Sequence, residues 1–261
     1  TTRPLPVPMP PRGPLLPLLL LPFLAPVPAR GLRSPRPSPR LTLAPVGGLP
    51  AAEGEGGSPL GSFAAYTPDA YRGHAAAPGG KEHYRLLGAL AAQLRPGDAA
   101  ADVGTRFGTS AFALARPGVA EVHSFDLPGS RELEEGLAGL GKGPGEVEAL
   151  VTGRLFPNLH FHKSHLLEDE EAFRLVLNSQ LVMLDTLHLP ESKPFEYRFI
   201  SKLAERGFRG VLLLDDINLN DEMRRLWSSM RNRTDARAID ATALGHWSGT
   251  GILDFSGALQ V

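Results

Sequence analysis

The sequence contains no cysteine among its 261 residues. This absence excludes disulfide bonds, catalytic thiolates and zinc sites built on sulfur, and it leaves the redox compartment open. The chain also lacks an excess of either charge, since 27 basic residues face 28 acidic ones. A strongly basic surface of the kind that binds nucleic acid is not indicated, so we expect no nucleic-acid partner. The sequence carries no signal for an oligomeric state.

Acidic residues are absent before Glu53, where the chain instead carries six arginines and, within its first 50 positions, 15 of the 25 prolines. A stretch of this composition cannot form a packed core, so we expect it to be disordered. Its apolar run, residues 15–24, is broken by Pro17 and Pro22 and is too short for a stable membrane span. The composition resembles a targeting leader for an organelle or the secretory route, while a low-complexity tail on a cytoplasmic protein also fits.

The predicted domain boundaries place a leader and linker over residues 1–62 and a folded domain over 63–261. Within the domain, short apolar runs alternate with helical segments. The predicted strands are 99–103, 119–125, 158–163, 181–184, 211–214, 236–243 and 251–255. This alternation predicts an α/β fold with a doubly wound, seven-stranded, mostly parallel sheet that ends in an antiparallel hairpin.

A glycine loop follows the first predicted strand, where residues 101–110 read ADVGTRFGTS. Gly104 permits a sharp turn and the close approach of a ligand, and Gly108 lets a helix start near the strand. The free N–H groups of that helix start would face the ligand. Because Asp102 would repel a pyrophosphate, the loop suits a cationic cofactor that lacks phosphate. Asp126, at the end of the next predicted strand, is spaced to accept hydrogen bonds from ribose hydroxyls.

Acidic residues also end the fourth and fifth predicted strands, as Asp185, Asp215 and Asp216. Neighbouring strand ends lie about 5 Å apart, and carboxylates that close repel one another unless a cation lies between them. Since all the donor atoms are oxygen, we expect a hard divalent cation, Mg²⁺ first and Mn²⁺ or Ca²⁺ as alternatives. The competing interpretation is that Asp215 or Asp216 points into solvent or caps the following turn.

Two histidines follow these strands at positions that suit catalysis. His188 comes three residues after Asp185, where a neutral imidazole can act as a general base. His246 and Trp247 lie in the loop of the final hairpin and are expected to overhang the same edge of the sheet. They would line a substrate pocket there, although Trp247 fits equally as a cover for the hydrophobic core.

The motifs resemble those of class I S-adenosylmethionine-dependent methyltransferases over about residues 63–261. ADVGTRFGTS resembles their first motif and VHSFD their ribose-binding motif, while LVMLDTLH and VLLLDDIN resemble the metal-dependent O-methyltransferase branch. That branch includes catechol O-methyltransferases and the cephalosporin-hydroxylase-like and macrolide-sugar enzymes, and the sugar enzymes are the closer match. The strand-five pair is Asp-Asp here, which departs from the more usual pairs and leaves Asn218 as a substitute ligand.

The resemblance implies a Rossmann-like methyltransferase fold and assigns the site residues. Catalysis would fall to His188 and Asp185, and Mg²⁺ to Asp185, Asp215 and Asp216. The residues implied for S-adenosylmethionine are Asp102, Gly104, Thr105, Gly108, Ser110 and Asp126. The predicted function is a Mg²⁺-assisted O-methyltransferase acting on a small hydroxylated molecule, a sugar or a phenol. The alternatives are a nucleotide-dependent oxidoreductase on a similar sheet and a non-catalytic protein that binds S-adenosylmethionine.

Overall fold

Strands and helices alternate along the parts of the chain that this computed structural model describes, residues 40–43, 61–115, 121–187 and 193–261. The strands are β1 (Ala99–Val103), β2 (Glu121–Asp126), β3 (Leu159–Lys163), β4 (Leu181–Leu184), β5 (Val211–Asp215), β6 (Arg237–Asp240) and β7 (Thr250–Asp254). A 3₁₀ helix, Gly61–Tyr66, precedes the helices α1 (Asp69–Ala76), α2 (Tyr84–Ala91), α3 (Thr109–Leu114), α4 (Glu132–Gly139), α5 (Pro144–Val151), α6 (Glu170–Leu177), α7 (Lys193–Glu205) and α8 (Asp221–Arg231).

The strands form one seven-stranded sheet in the order β3-β2-β1-β4-β5-β7-β6. Strands β1 to β5 run parallel, and β7 is inserted antiparallel between β5 and β6. The predicted fold class is confirmed, including the antiparallel hairpin at the end. The strand order reverses direction between β1 and β4, and a ligand crevice is expected outside the carboxyl ends of the strands at such a point.

Both faces of the sheet are covered, which explains why the central strands read as continuous apolar runs. Along β4, Leu181 and Met183 belong to the apolar cluster that includes Leu87 of α2. Val182 and Leu184 belong to the cluster on the other face. Complete burial of a side chain of this size contributes about 1.5–3 kcal/mol relative to leaving it exposed. The sheet is therefore a rigid support for the loops at its carboxyl edge.

A short stretch near the start of the described chain contacts the end of the domain. Leu43 N donates a hydrogen bond to the Gln260 carbonyl, and Gln260 N donates to the Leu41 carbonyl, each over 2.8 Å. Leu41 and Leu43 are buried against the core. The sequence predicts a linker here. Local composition does not reveal that the two leucines pack against the core near residue 260.

The leader predicted before residue 40 lies outside the described residues. Within the described ranges, no helix combines the length and the apolar character needed to cross a membrane. Helix α1 was missed in the sequence because only Ala75 of its residues is buried, so it shows no apolar stripe. Helix α2 begins at Tyr84, after a turn in which Gly80 has φ +81°.

Candidate active site

A pocket opens at the carboxyl edge of the sheet, between the loop that follows β1 and the loop that follows β4. Its volume, counted together with the solvent space at its mouth, is about 280 Å³. Residues 104–107 and 109–110 line one side, and Tyr71, Tyr84 and Asp185 complete the lining. The pocket therefore lies where a doubly wound sheet binds its ligands, and it brings the predicted glycine loop together with the acid that follows β4.

The glycine loop is fixed by contacts to both neighbouring strands. Gly104 N and Thr105 N both donate hydrogen bonds to the Phe125 carbonyl of β2, over 2.9 and 3.1 Å. Gly104 has φ +105°, and a Cβ at this position would lie 1.7 Å from the Asp185 carbonyl oxygen. Only glycine fits there, so the backbone itself forms this part of the pocket wall.

Asp102 lies at the centre of the sheet under this loop and is completely buried. Its Oδ2 accepts a 2.7 Å hydrogen bond from Ser124 Oγ, which lies 2.6 Å from Thr105 Oγ1. Burial raises the pKa of Asp102 to about 7, the hydroxyls of Ser110 and Ser124 counter this in part, and the Asp185 charge adds to it. Asp102 therefore exchanges its proton near neutral pH.

Asp126, the predicted ribose ligand, ends β2 and is already engaged by the loop that follows it. Its carboxylate accepts hydrogen bonds from Leu127 N over 2.8 Å, Ser130 Oγ over 2.7 Å and Arg106 N over 3.3 Å. Gly108 has φ +79° and begins α3, as predicted. Among the predicted cofactor residues, Gly104, Thr105 and Ser110 line the pocket, whereas Asp102, Gly108 and Asp126 lie outside its lining.

A second cluster surrounds Asp215 at the end of β5. The parallel register of β4 and β5, with Leu184 opposite Leu214, sets Asp185 and Asp215 at adjacent strand ends. Asp215 Oδ1 lies 3.3 Å from His83 Nδ1 and 3.4 Å from His246 Nδ1. The carboxylate that we predicted to face other carboxylates is therefore flanked by two imidazoles.

The titratable side chains in this cluster shift one another's pKa values. Burial lowers the pKa of His83, but the charge of Asp215, its hydrogen bonding and the charge of Asp185 together outweigh burial and leave that pKa raised. Burial also opposes the charged form of His246, yet Asp215, Asp216 and Glu82 raise the pKa of His246 to about 10. Burial tends to raise the pKa of Asp215, and the two histidines reverse this, so its pKa is lowered. The ionised Asp215 therefore favours positive charge beside it, which protons on the histidines supply when no metal ion is bound.

Asp216 turns toward the hairpin loop. It has φ +59°, a left-handed conformation that is uncommon for a residue with a side chain. Its Oδ1 lies 3.1 Å from His246 Nδ1 and accepts a short hydrogen bond from Ser248 Oγ. Asn218 N donates to the Ser248 carbonyl over 2.8 Å, which fastens the loop after β5 to the hairpin loop. The alternative that Asp216 points into solvent is not what the structure shows.

His83 is the functional candidate that the sequence did not reveal. It sits at the start of α2, after a turn whose Gly80 N donates a 2.8 Å hydrogen bond to the Gly245 carbonyl. This contact brings the α1–α2 turn to the hairpin loop that carries His246. The sequence offered one signal, the Gly79-Gly80 pair, whose small size permits the close approach: a Cβ on Gly79 would lie 3.0 Å from the Leu244 carbonyl oxygen.

Three predicted site residues remain, His188, Asp185 and Trp247. His188, the predicted general base, lies outside the described residues. Asp185 lines the pocket, and its predicted roles in catalysis and metal binding stay predictions. Trp247 is 65% exposed, so it does not cover the hydrophobic core.

No protein-family model matches this sequence, and no curated protein matches it either. Its fold is similar to solved methyltransferase structures. The O-methyltransferase TomG of Streptomyces achromogenes, in complex with S-adenosylmethionine, has 18% identity and a TM-score of 0.43, with 65% of this chain and 78% of that chain covered. A methyltransferase of Geobacter sulfurreducens has 13% identity and a TM-score of 0.44, with 65% and 76% covered. The O-methyltransferase of Bacillus cereus has 13% identity and a TM-score of 0.37, over the same shares. At these sequence identities and TM-scores the similarity is one of fold, and function is inferred from the residues of the site.

Proposed function

We propose that this chain is an S-adenosylmethionine-dependent O-methyltransferase that acts on a small hydroxylated molecule. The observation that carries the proposal is the pocket in which Gly104, Thr105 and Ser110 face the same space as Asp185. A methyl donor held on the glycine loop and an acceptor held at Asp185 would be in contact there. Such an arrangement converts a reaction between two molecules into one within a single complex, which is the main contribution expected of the enzyme.

The charge of the loop suits S-adenosylmethionine better than a dinucleotide. The cofactor carries a sulfonium and an ammonium group and has no phosphate, whereas NAD would bring a pyrophosphate close to Asp102. A cation near this buried carboxylate stabilises its ionised form. In this proposal, Thr105 and Ser110 supply hydroxyls to the cofactor. Gly108 starts the helix beneath it, and Asp126 exchanges one of its loop contacts for the ribose hydroxyls.

The acceptor side of the pocket favours a small, hydroxylated substrate. Tyr71 and Tyr84 offer ring surfaces, and Asp185 offers a carboxylate that can orient a hydroxyl group. In the reaction, the substrate oxygen attacks the methyl carbon, the bond from that carbon to sulfur breaks, and the hydroxyl proton passes to a base. His188 stays the proposed base. A sugar or a phenol satisfies these requirements.

A divalent cation stays part of the proposal, and in such a site it would lower the pKa of the substrate hydroxyl. The residues fit Mg²⁺ poorly, because Mg²⁺ takes oxygen ligands and Asp215 is flanked by His83 and His246. No step of the proposed reaction is therefore assigned to Mg²⁺.

Calorimetric titration with S-adenosylmethionine and with NAD tests the cofactor. We expect S-adenosylmethionine to bind and NAD to bind more weakly or not at all; tighter binding of NAD would favour an oxidoreductase and overturn the proposal. Transfer of a labelled methyl group to a panel of sugars and phenols, with and without EDTA, then tests the reaction. Binding of the cofactor without transfer to any acceptor would indicate a non-catalytic binding protein.

A further inference from the structure

His83, Asp215 and His246 come together from three separate parts of the chain, the start of α2, the end of β5 and the hairpin loop. One donor atom of each lies within 4.8 Å of the other two. His83 Nδ1 and His246 Nδ1 lie 3.3 and 3.4 Å from the same oxygen, Asp215 Oδ1. Ligands held about 2.0–2.1 Å from a tetrahedral ion are about 3.3–3.4 Å apart, so these separations match those of atoms that share a metal.

The burial of the three side chains favours a bound ion over a water-filled cluster. His83 and Asp215 are 2% and 4% exposed, and His246 is 17% exposed. Neither ring nitrogen of His83 makes a hydrogen bond within the described part of the chain. A buried polar group without a hydrogen bond costs about 1–3 kcal/mol. His83 Nδ1 lies 3.3 Å from Asp215 Oδ1, so either a proton on His83 or an ion shared by the two atoms would satisfy this nitrogen.

The neighbours of His246 suit a coordinating imidazole. Its Nδ1 lies 2.7 Å from Ser248 Oγ, 3.1 Å from Asp216 Oδ1 and 3.4 Å from Asp215 Oδ1, so an ion bound there would replace the first two contacts. Its Nε2 lies 3.8 Å from Glu82 Oε2. Metal-bound histidines commonly direct their second ring nitrogen at a carboxylate, which orients the ring and makes it a stronger ligand. His246 N also donates a 2.8 Å hydrogen bond to Thr250 Oγ1, which fixes the backbone of the loop. The ring is therefore held on both sides.

We propose that His83, Asp215 and His246 bind a divalent first-row transition-metal ion, such as Zn²⁺, Co²⁺ or Fe²⁺, in preference to Mg²⁺. Imidazole nitrogen is a good ligand for these ions, while Mg²⁺ selects oxygen. The site adjoins the pocket, since Tyr84, the residue after His83, lines it. Any role of this ion in methyl transfer rests on the proposed function, whereas its binding does not.

Metal affinity of the full chain tests the proposal directly. After treatment with EDTA and its removal, calorimetric titration with Co²⁺, Zn²⁺ and Mg²⁺ is expected to show one Co²⁺ or Zn²⁺ per chain. The affinity for either ion should exceed that for Mg²⁺ by at least about 100-fold. Equal affinity for Mg²⁺ and Co²⁺, or no binding of Co²⁺ and Zn²⁺, would overturn the proposal and leave a metal-free His-Asp-His cluster.

Variants identify the ligands. His83→Asn and His246→Asn should each lower Co²⁺ affinity by at least about 10-fold. The matched control is His165→Asn, because His165 follows β3, is 38% exposed and belongs to neither the pocket lining nor the three-residue set. It should leave Co²⁺ affinity unchanged. Unaltered Co²⁺ affinity in both His83→Asn and His246→Asn contradicts the assignment.

A measurement on the unchanged chain covers the case in which a variant does not fold. Electron paramagnetic resonance of the Cu²⁺-loaded protein should show coupling to imidazole nitrogen, and an all-oxygen spectrum would refute the site. Titration of the EDTA-treated protein with S-adenosylmethionine distinguishes failure of the metal-site proposal from failure of the proposed function. Cofactor binding without Co²⁺ binding refutes the metal site alone, and the reverse result refutes the methyltransferase proposal alone.

Discussion

The carbonyl oxygen of Asp185 occupies the space that a side chain on Gly104 would need, 1.7 Å from the ideal position of its Cβ. The loops after β1 and β4 therefore touch through backbone atoms at the mouth of the pocket. Asp185 N also donates a 2.9 Å hydrogen bond to the Val103 carbonyl, which ties the two strand ends together. This contact sets the distance between the glycine loop and Asp185 across the pocket.

Gly104→Ala is expected to destabilise the fold by about 3 kcal/mol or more, because the methyl group overlaps backbone and φ +105° is strained for alanine. Chemical denaturation measures the loss. The control is Gly73→Ala in α1, where no other atom lies within 4 Å of the new Cβ. Removal of a helical glycine there should stabilise by about 0.5–1 kcal/mol. Similar stability of the two variants would contradict the contact.

Asp185→Asn is expected to reduce turnover by at least about 100-fold and to leave the affinity for S-adenosylmethionine nearly unchanged. The reason is that the side chain faces the acceptor side of the pocket, while Gly104 contacts only the backbone of Asp185. Initial rates of methyl transfer and calorimetric titration measure the two effects. Asp221→Asn, on the exposed start of α8, is the control. Full turnover in Asp185→Asn would remove Asp185 from the catalytic site.

The stability of the ligand-free protein should fall as the pH rises from about 4 to about 7 because of Asp102. Its pKa is about 7 in the fold and 3.8 in the unfolded chain. Between these values the folded state holds a proton that the unfolded state has lost, so folding becomes less favourable as the pH rises. Asp102 contributes a change of about 4 kcal/mol over this range.

Denaturation of the wild type and Asp102→Asn at pH 5 and pH 8 isolates this contribution, since the other titrating groups are common to both. The loss of stability on going to pH 8 should be smaller in Asp102→Asn. Equal losses would show that Asp102 does not exchange its proton in this range.

Cofactor binding should release a proton near pH 6.5, because a cation beside Asp102 lowers its pKa from about 7. Affinity for S-adenosylmethionine is then expected to increase as the pH rises through 7. Calorimetric titration in two buffers of different ionisation enthalpy counts the protons released. The apparent binding enthalpy of Asp102→Asn should show less dependence on the buffer, and an unchanged dependence would assign the proton to another group.

Asn220→Ala is expected to destabilise the fold by about 1 kcal/mol. The Asn220 side chain accepts hydrogen bonds from Glu222 N over 3.0 Å and Met223 N over 2.9 Å, and so caps the start of α8. Thermal melts measure the change. Asn220→Asp keeps the acceptor oxygen and should stay close to the wild type; a loss as large as that of Asn220→Ala would assign the effect to other contacts.

The sequence predicts the central sheet well, because its strands are short apolar runs bounded by turn residues. The bounds of β1 and β4 agree residue for residue with the prediction. The placement of the acids that end these strands is also predictable, because parallel strands have their carboxyl ends at one edge of the sheet. Asp102, Asp185 and Asp215 therefore meet this edge as predicted.

The composition of the second cluster was not predictable from a local pattern. His83 lies in a segment whose one signal is the Gly79-Gly80 pair, and the contact of Gly80 with Gly245 brings its turn to the hairpin loop beside Asp215. The left-handed turn at Asp216 is accompanied by hydrogen bonds to the hairpin loop, which is distant in sequence. The residues next to Asp216 therefore do not predict this turn. The sequence predicts an all-oxygen site because the strand ends carry only acids, whereas the histidines come from segments that cover these ends.

The position of β7 between β5 and β6 has a consequence for synthesis of the chain on the ribosome. Translation delivers β6 before β7, so β6 has no neighbour to join until β7 has emerged and inserted. Residues 41–43 likewise cannot pair with Gln260 until it has been synthesised, more than 200 residues later. His246 reaches Asp215 only when the hairpin closes, so a nascent chain acquires this cluster in the last step of its folding.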